Sequence, residues 1–225
     1  MVIALLFAGP ARAASVGIGL DLGTDLPDVH GGDAATAFPV GVALRVPVVV
    51  PLAETAGLRV TPRLQGAQGQ DLILFPAQDG GLALGDEVKA WYASAAVLVG
   101  PEVRITRGGV APTFGAGVGP ALAMTFHNFD RCGYFAPNQD CGTGAEPLPA
   151  MDPSTTQLAI ATELSFGVQF LPEDPGTGAW VELGYGSVGV PGVAFGDRAA
   201  EGLERAPYAY NAVRLGFGVL FGAAR

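Results

Sequence analysis

Hydrophobic residues alternate with small or polar residues over much of this chain. In the segment 38–52, every second position from Phe38 to Leu52 carries a large apolar side chain, and the positions between them hold mostly proline, glycine and alanine, with Arg45 as the one charge. Three prolines in these fifteen residues argue against a helix, because each would cost about 3 kcal/mol in a helix interior. The period of two therefore predicts a β-strand with one apolar face.

The same pattern recurs and predicts eight strands. They cover residues 15–23, 38–52, 56–66, 90–105, 112–126, 156–170, 179–187 and 209–221. The connections alternate between long (24–37, 67–89, 127–155, 188–208) and short (53–55, 106–111, 171–178). Four prolines fall within these strands and predict bulges or shorter strands, because proline cannot donate to a β-ladder: Pro47, Pro62, Pro101 and Pro120.

The faces opposite the apolar ones carry glycines and isolated charges. The charged positions are Asp21, Arg45, Arg59, Arg63, Glu102, Arg104, Glu163, Glu182 and Arg214, four acids against five bases. Two architectures fit an alternation of this kind. In a soluble sandwich or lipocalin-like barrel the apolar face points inward, whereas in a membrane barrel it meets lipid and the other face lines the interior.

Three features favour the membrane barrel. The polar face is mostly glycine and alanine, which suits a crowded interior, and its charges nearly balance, as buried charges must. An even strand number with short turns at one end and long loops at the other is typical of outer-membrane barrels. Aromatic residues near the strand ends also predict two interfacial girdles: Phe38, Trp91, Phe126 and Tyr210 at the long-loop end, and Phe114, Phe170, Trp180 and Phe221 at the short-turn end.

Composition supports this choice and excludes one class of partner. The chain has 225 residues, of which 49% are hydrophobic and only 15% charged, with 34 glycines. Its net charge of −9 argues against nucleic acid, which needs a basic surface. After the N-terminal segment no apolar run reaches the roughly 18 residues of a transmembrane helix.

Two segments indicate export. Residues 1–13 contain a short apolar core followed by Ala11-Arg12-Ala13, the small-x-small pattern of a signal peptidase site, although the usual basic start is missing. Cys132 and Cys141 flank eight residues in a predicted loop, and in an exported protein this spacing predicts a disulfide.

After Ala13 the chain resembles the eight-stranded outer-membrane barrels of the OmpA/OmpX/OmpW type. Its terminal run VRLGFGVLF, with Val213, Leu215, Phe217, Val219 and Phe221 on one face, is similar to the C-terminal assembly signal of that family, although Gly222-Ala-Ala-Arg225 follows it here. The resemblance implies an all-β, eight-stranded, antiparallel up-and-down transmembrane β-barrel over residues 14–225. It also implies the outer membrane of a Gram-negative-type bacterium, extracellular long loops and periplasmic termini.

Candidate chemistry is sparse. The glycine-rich FGAGVGP (114–120) lacks the Lys-Ser/Thr ending of a phosphate loop, and His127 with Asp130 and Ser154 matches no nucleophile motif. The acidic long loops, with Asp71, Asp86 and Glu87 among their residues, show no calcium-loop spacing. We therefore predict no catalytic residue, no metal site and no cofactor.

Three functions remain open from the sequence. The first is a structural or surface-interaction barrel whose interior is plugged by salt bridges, with Arg45 pointing to Glu102 or Asp21. The second is passage of small apolar solutes across the outer membrane, and the third is a soluble secreted binding barrel. The expected partners for the first two are outer-membrane lipid and lipopolysaccharide, with the barrel-assembly machinery during insertion, and the expected state is a monomer.

Overall fold

A computed structural model describes residues 14–25, 37–75, 84–128, 154–172, 176–191 and 208–223. These residues form nine β-strand segments. They are β1 (Ser15–Asp25), β2 (Ala37–Arg45), β3 (Val48–Pro51), β4 (Ala56–Phe75), β5 (Leu84–Arg104), β6 (Val110–Asn128), β7 (Ser154–Phe170), β8 (Gly176–Val190) and β9 (Tyr208–Ala223). The described part of the chain contains no helix long and apolar enough to cross a membrane.

The strands close into one antiparallel barrel. Each pairs with its neighbour in the chain, and β1 also pairs with β9 from Val16–Phe221 to Asp25–Ala212, which closes the sheet. β2 and β3 are the two halves of one interrupted strand, because both pair with β1 on one side and with β4 on the other. The barrel therefore has eight strands, and the predicted fold class is confirmed.

The interruption between β2 and β3 lies at Val46 and Pro47. The pairing register with β4 is the same on both sides of it, since Arg45 lies opposite Arg63 and Val48 lies opposite Val60. Pro47 cannot donate, but its carbonyl accepts a hydrogen bond of 2.7 Å from the Gly17 N–H. A bulge at this proline is thus absent, and the strand is interrupted there but continues in the same register to Pro51.

The other three prolines, at positions 62, 101 and 120, lie within β4, β5 and β6. The ladders there keep their register, with Pro62 opposite Val97 and Pro120 opposite Ile160. These prolines cause no bulge, and the prediction of bulges or shorter strands is wrong at all three. Each removes one donor from the ladder without shifting the pairing.

Side chains point alternately outward and inward along the described strands, and most of the large apolar ones point outward. On β1, Val16, Ile18, Leu20 and Leu22 are 41–54% exposed, whereas Asp21 between the last two is 2% exposed. This order is the inverse of a soluble β-barrel, where burial of apolar surface drives folding. The soluble binding barrel is therefore excluded as an interpretation.

β4 and β5 extend well beyond the predicted strands. Their ladder continues to Phe75–Leu84, so Asp71, Asp86 and Glu87 belong to a long hairpin and not to an irregular loop. The sequence obscures this extension because the apolar alternation ends near residue 66. The predicted signal segment 1–13, the cysteines Cys132 and Cys141 and the side chain of Phe38 lie outside the described residues, so these assignments stay predictions.

Candidate functional site in the barrel interior

The barrel interior has three layers along its axis. The long-loop end holds an apolar layer that includes Tyr92, Tyr210, Val188 and Val190, which we call the loop-side seal. The middle holds the charged residues. The short-turn end holds a second apolar layer, the turn-side seal, made of Ala111, Leu171, Trp180 and Leu220.

The charged layer contains four carboxylates and four guanidiniums, all at most 8% exposed. The strands place them on inward positions at similar depth. The carboxylates are Asp21 on β1, Glu102 on β5, Glu163 on β7 and Glu182 on β8; the guanidiniums are Arg45 on β2, Arg59 and Arg63 on β4 and Arg214 on β9. We call these eight residues the charge cluster. Their formal charges cancel, which is what burial away from water requires.

Glu163 is the hub of the charge cluster. Its Oε2 accepts hydrogen bonds from Arg63 Nη1 at 2.8 Å and from Arg214 Nη2 at 2.9 Å. Its Oε1 accepts one from Arg59 Nη2 at 3.3 Å and lies 3.7 Å from Arg45 Nη1. One carboxylate thus contacts four arginines from three different strands.

The other three carboxylates also contact arginines of the charge cluster. Glu182 accepts from Arg45 and, at 2.8 Å, from Arg59 Nη1. Asp21 lies 2.9 Å from Arg45 Nε. Arg45 therefore reaches Asp21, as predicted, whereas Glu102 lies 3.7 Å from Arg59 and accepts a hydrogen bond from Gln169 at 3.3 Å.

Arg104 is the one predicted interior charge that lies apart from this cluster. It is half-buried at the end of β5, next to the short turn at residues 105–109. Its position explains the count of five bases against four acids in the sequence pattern. Without it, the buried layer is balanced.

Glycines on neighbouring strands make room for the arginines. A Cβ at Gly115 would collide with the Arg59 guanidinium, and one at Gly186 would collide with that of Arg214. Gly216 is also tightly enclosed, because a Cβ there would overlap Arg45 Nη2 and Asp21 Oδ1 and lie 3.0 Å from the Trp180 ring. On the inward face of the barrel, the glycines thus leave the space that the arginine side chains fill.

We expect Gly216→Ala to lower the free energy of unfolding by about 1–3 kcal/mol, because the new methyl group must push Arg45 and Asp21 apart. Gly66→Ala is the matched control, since the nearest atom to a Cβ at Gly66 is a backbone oxygen 3.9 Å away. Urea unfolding in detergent micelles measures both. Equal losses for the two variants would contradict a tight fit at Gly216.

The predicted aromatic girdles are partly misassigned. Trp91, Phe126, Phe170 and Phe221 point outward with 40–49% exposure. Trp180 is 5% exposed and points inward, with Arg45 Cζ 4.0 Å from its ring centroid, a cation–π contact. Tyr210 is also buried, 5.0 Å from Tyr92 between ring centroids. Both were predicted at the interface, and both assignments are wrong.

The position of each of these aromatic residues in the two-residue period of its strand could have predicted that its side chain points inward. Trp180 lies two positions before Glu182, and Tyr210 lies four positions before Arg214, so each shares the inward face of a predicted interior charge. β9 pairs in unbroken register from Val190–Tyr208 to Thr177–Phe221. The ladder therefore contains no bulge at Tyr210.

The described part of the interior contains no cluster of side chains arranged to bind a metal ion. No group of three or more His, Cys, Asp or Glu side chains is placed there to hold a metal ion. The four carboxylates each face arginine, which neutralises them as ligands. The geometry instead supports a rigid plug, with charges locked against each other and apolar layers above and below.

The class that these features define is a small membrane-type β-barrel, with an apolar exterior around a polar, filled interior. No protein-family model matches the sequence, and neither does any curated protein.

Solved outer-membrane barrels are similar to this chain in fold. Neisserial surface protein A is 12% identical, with a TM-score of 0.46 over 93% of this chain and 96% of that one. Ail, the attachment invasion locus protein of Yersinia pestis, is 16% identical, with a TM-score of 0.38 over 92% and 97%. The outer membrane protein OprG from Pseudomonas aeruginosa is 13% identical, with a TM-score of 0.42 over 96% and 99%.

Proposed function

We propose that this chain is a non-enzymatic outer-membrane barrel with a plugged interior, which serves a structural or surface-interaction role. The observation that carries the proposal is the inverted arrangement of its residues: apolar side chains cover the outside and a neutral charge cluster fills the inside. A closed barrel satisfies all backbone hydrogen bonds between strands, which is a condition for crossing lipid.

The interior supports a plug more than a pore. Among eight-stranded barrels the lumen is just wide enough for side chains to fill. Here the cavity between the charge cluster and the turn-side seal has a volume of about 10 Å³, and the two apolar seals lie on either side of the cluster. Ions would have to displace salt bridges to pass.

The orientation and surroundings follow from this role. We infer that the termini, at the short-turn end, face the periplasm and that the long connections face outward, where they meet lipopolysaccharide. Insertion by the barrel-assembly machinery fits the apolar outward face of β9, from Val213 to Phe221. We expect a monomer, since the barrel closes on itself.

The experiment that tests the proposal uses the purified chain refolded in detergent. We expect faster gel migration without boiling than after boiling, solubility only with detergent, and no large stable channels in planar bilayers. A monodisperse protein in plain buffer would overturn the membrane assignment. Large stable channels would overturn the plug.

Passage of small apolar solutes is the second candidate, and one observation favours it. The interior on the long-loop side is lined by alanine, valine and tyrosine, and the described β7–β8 ladder ends at Ala161–Val188 although β6–β7 pairing continues to Ser154. A wall with a shorter ladder there would admit apolar molecules from the side. Uptake of an n-alkane by proteoliposomes above that of empty vesicles distinguishes this function from the plug.

A further inference from the structure

A small cavity lies between the charge cluster and the turn-side seal. Its volume is about 10 Å³, and its lining includes Arg59, Glu102, Thr113, Gln169 and Trp180. A space of roughly 10–15 Å³ for the centre of a water-sized probe is what one water molecule needs. The cavity is thus large enough for a single water and too small for an organic ligand.

Two buried polar atoms of residues that line the cavity have neither a hydrogen-bond partner nor an ion-pair partner among the described residues. They are the indole Nε1 of Trp180 and the amide Oε1 of Gln169. The two residues lie directly opposite each other in the β7–β8 ladder, and both side chains point inward. Gln169 donates its amide nitrogen to Glu102 at 3.3 Å, so its oxygen must face the other way, because a carboxylate only accepts.

The chemistry of these atoms selects a ligand that both accepts and donates. The indole N–H only donates, and the amide oxygen only accepts. The charges that line the cavity cancel, with Glu102 and Glu182 against Arg45 and Arg59. A cation would face the indole hydrogen, and an anion would face the amide oxygen and Glu102, so neither ion suits the site.

We propose that this cavity is a binding site for one structural water. The water accepts a hydrogen bond from Trp180 Nε1 and donates one to Gln169 Oε1. It joins the turn-side seal to the charge cluster and gives both of these buried polar atoms a hydrogen-bond partner. The role of Trp180 is then double, since its ring stacks on Arg45 and its N–H holds the water.

The test uses the two tryptophans of the chain as reporters. In the micelle-bound barrel, Trp91→Phe identifies the Trp180 indole N–H resonance by elimination. We expect a direct cross-peak between the Trp180 N–H and a long-lived water in nuclear Overhauser spectra. Gln169→Leu removes the acceptor and should remove the cross-peak while the resonance stays in place. The absence of a cross-peak in the unsubstituted barrel would overturn the proposal.

A second measurement does not depend on the variant being stable. In a crystal structure of the unsubstituted barrel at a resolution that shows ordered water, we expect one peak within hydrogen-bonding distance of Trp180 Nε1 and Gln169 Oε1. A clear cavity without density would overturn the site. A peak coordinated only by carboxylates, with ion-like distances and no contact to the indole, would also overturn it. Neither result bears on whether the barrel conducts, so the plug is tested separately.

Discussion

Replacing Glu163 by glutamine should lower the free energy of unfolding by about 3–5 kcal/mol, the cost of breaking a buried ion pair by removing one partner. Among the described residues, Glu163 is the carboxylate that forms ion pairs with both Arg63 and Arg214. Its neutralisation removes the direct ion pair of both buried guanidiniums. Glutamine keeps the size of the side chain, so the loss reports charge and not packing.

Urea unfolding in micelles, followed by the gel shift between folded and unfolded forms, measures this loss. Glu102→Gln is the matched control, since Glu102 has one ion pair, with Arg59 at 3.7 Å, and Arg59 also pairs with two other carboxylates. We expect a clearly smaller loss for the control. Similar losses would mean that Glu163 is not the hub.

A compensating substitution at Arg63 tests the electrostatic explanation directly. Arg63 is 2% exposed, and its ion pair within the described residues is with Glu163. Adding Arg63→Met to Glu163→Gln removes one of the two guanidiniums that have lost their ion pair. We expect this to restore part of the stability, because apolar replacements of buried ion pairs often leave the stability unchanged or raise it. A double variant that is less stable than Glu163→Gln alone would contradict the electrostatic explanation.

The sequence predicts the faces of this barrel well because a strand has a period of exactly two residues. Eight of the nine charged positions predicted for the interior lie in the charge cluster, and the ninth, Arg104, lies apart from it at the end of β5. The same inward face carries the glycines, of which Gly115 and Gly186 leave the space that the Arg59 and Arg214 guanidiniums occupy. One rule, applied strand by strand, therefore predicts the composition of the site.

The pairing of these charges could not be predicted in the same way. Contacts across the barrel depend on the register between strands and on the stagger that closes the sheet. Glu163 contacts arginines from β2, β4 and β9, and none of these strands pairs with β7. The sequence therefore does not reveal that Glu163 is the hub, because no spacing between residues along the chain specifies contacts across the barrel.

Trp180 shows a different kind of failure. Its assignment to the interface followed from its place near a strand end, where aromatic residues commonly meet lipid headgroups. Trp180 lies two residues from Glu182 and therefore shares its inward face. The side chain does point inward, because Gly19 and Gly218 leave space for the indole ring. In a small barrel, phase is thus the stronger guide to the direction of an aromatic side chain.

We expect the barrel to stay closed to ions until all three interior layers are opened. The loop-side seal is opened by Tyr92→Ala with Tyr210→Ala, and the turn-side seal by Trp180→Ala with Leu220→Ala. The charge cluster is thinned by Arg59→Ser with Glu182→Ser, a pair that removes one charge of each sign and leaves Arg45 with Asp21. The layers lie in series along the axis, so any one that remains blocks the current.

Planar-bilayer recordings of the three double variants and of their combination measure this expectation. Each double variant should show no steady channel, and the combined variant should conduct in discrete steps, provided that gel migration without boiling shows it folded. Phe114→Ala with Phe166→Ala, two outward residues whose rings lie 4.8 Å apart, is the control for general loosening of the wall and should not conduct. Steady current through the variant that lacks only the two tyrosines would mean that the charge cluster does not fill the cross-section. The series arrangement also predicts that the order in which the layers are removed does not matter, because a current through stacked barriers is limited by whichever barrier is left.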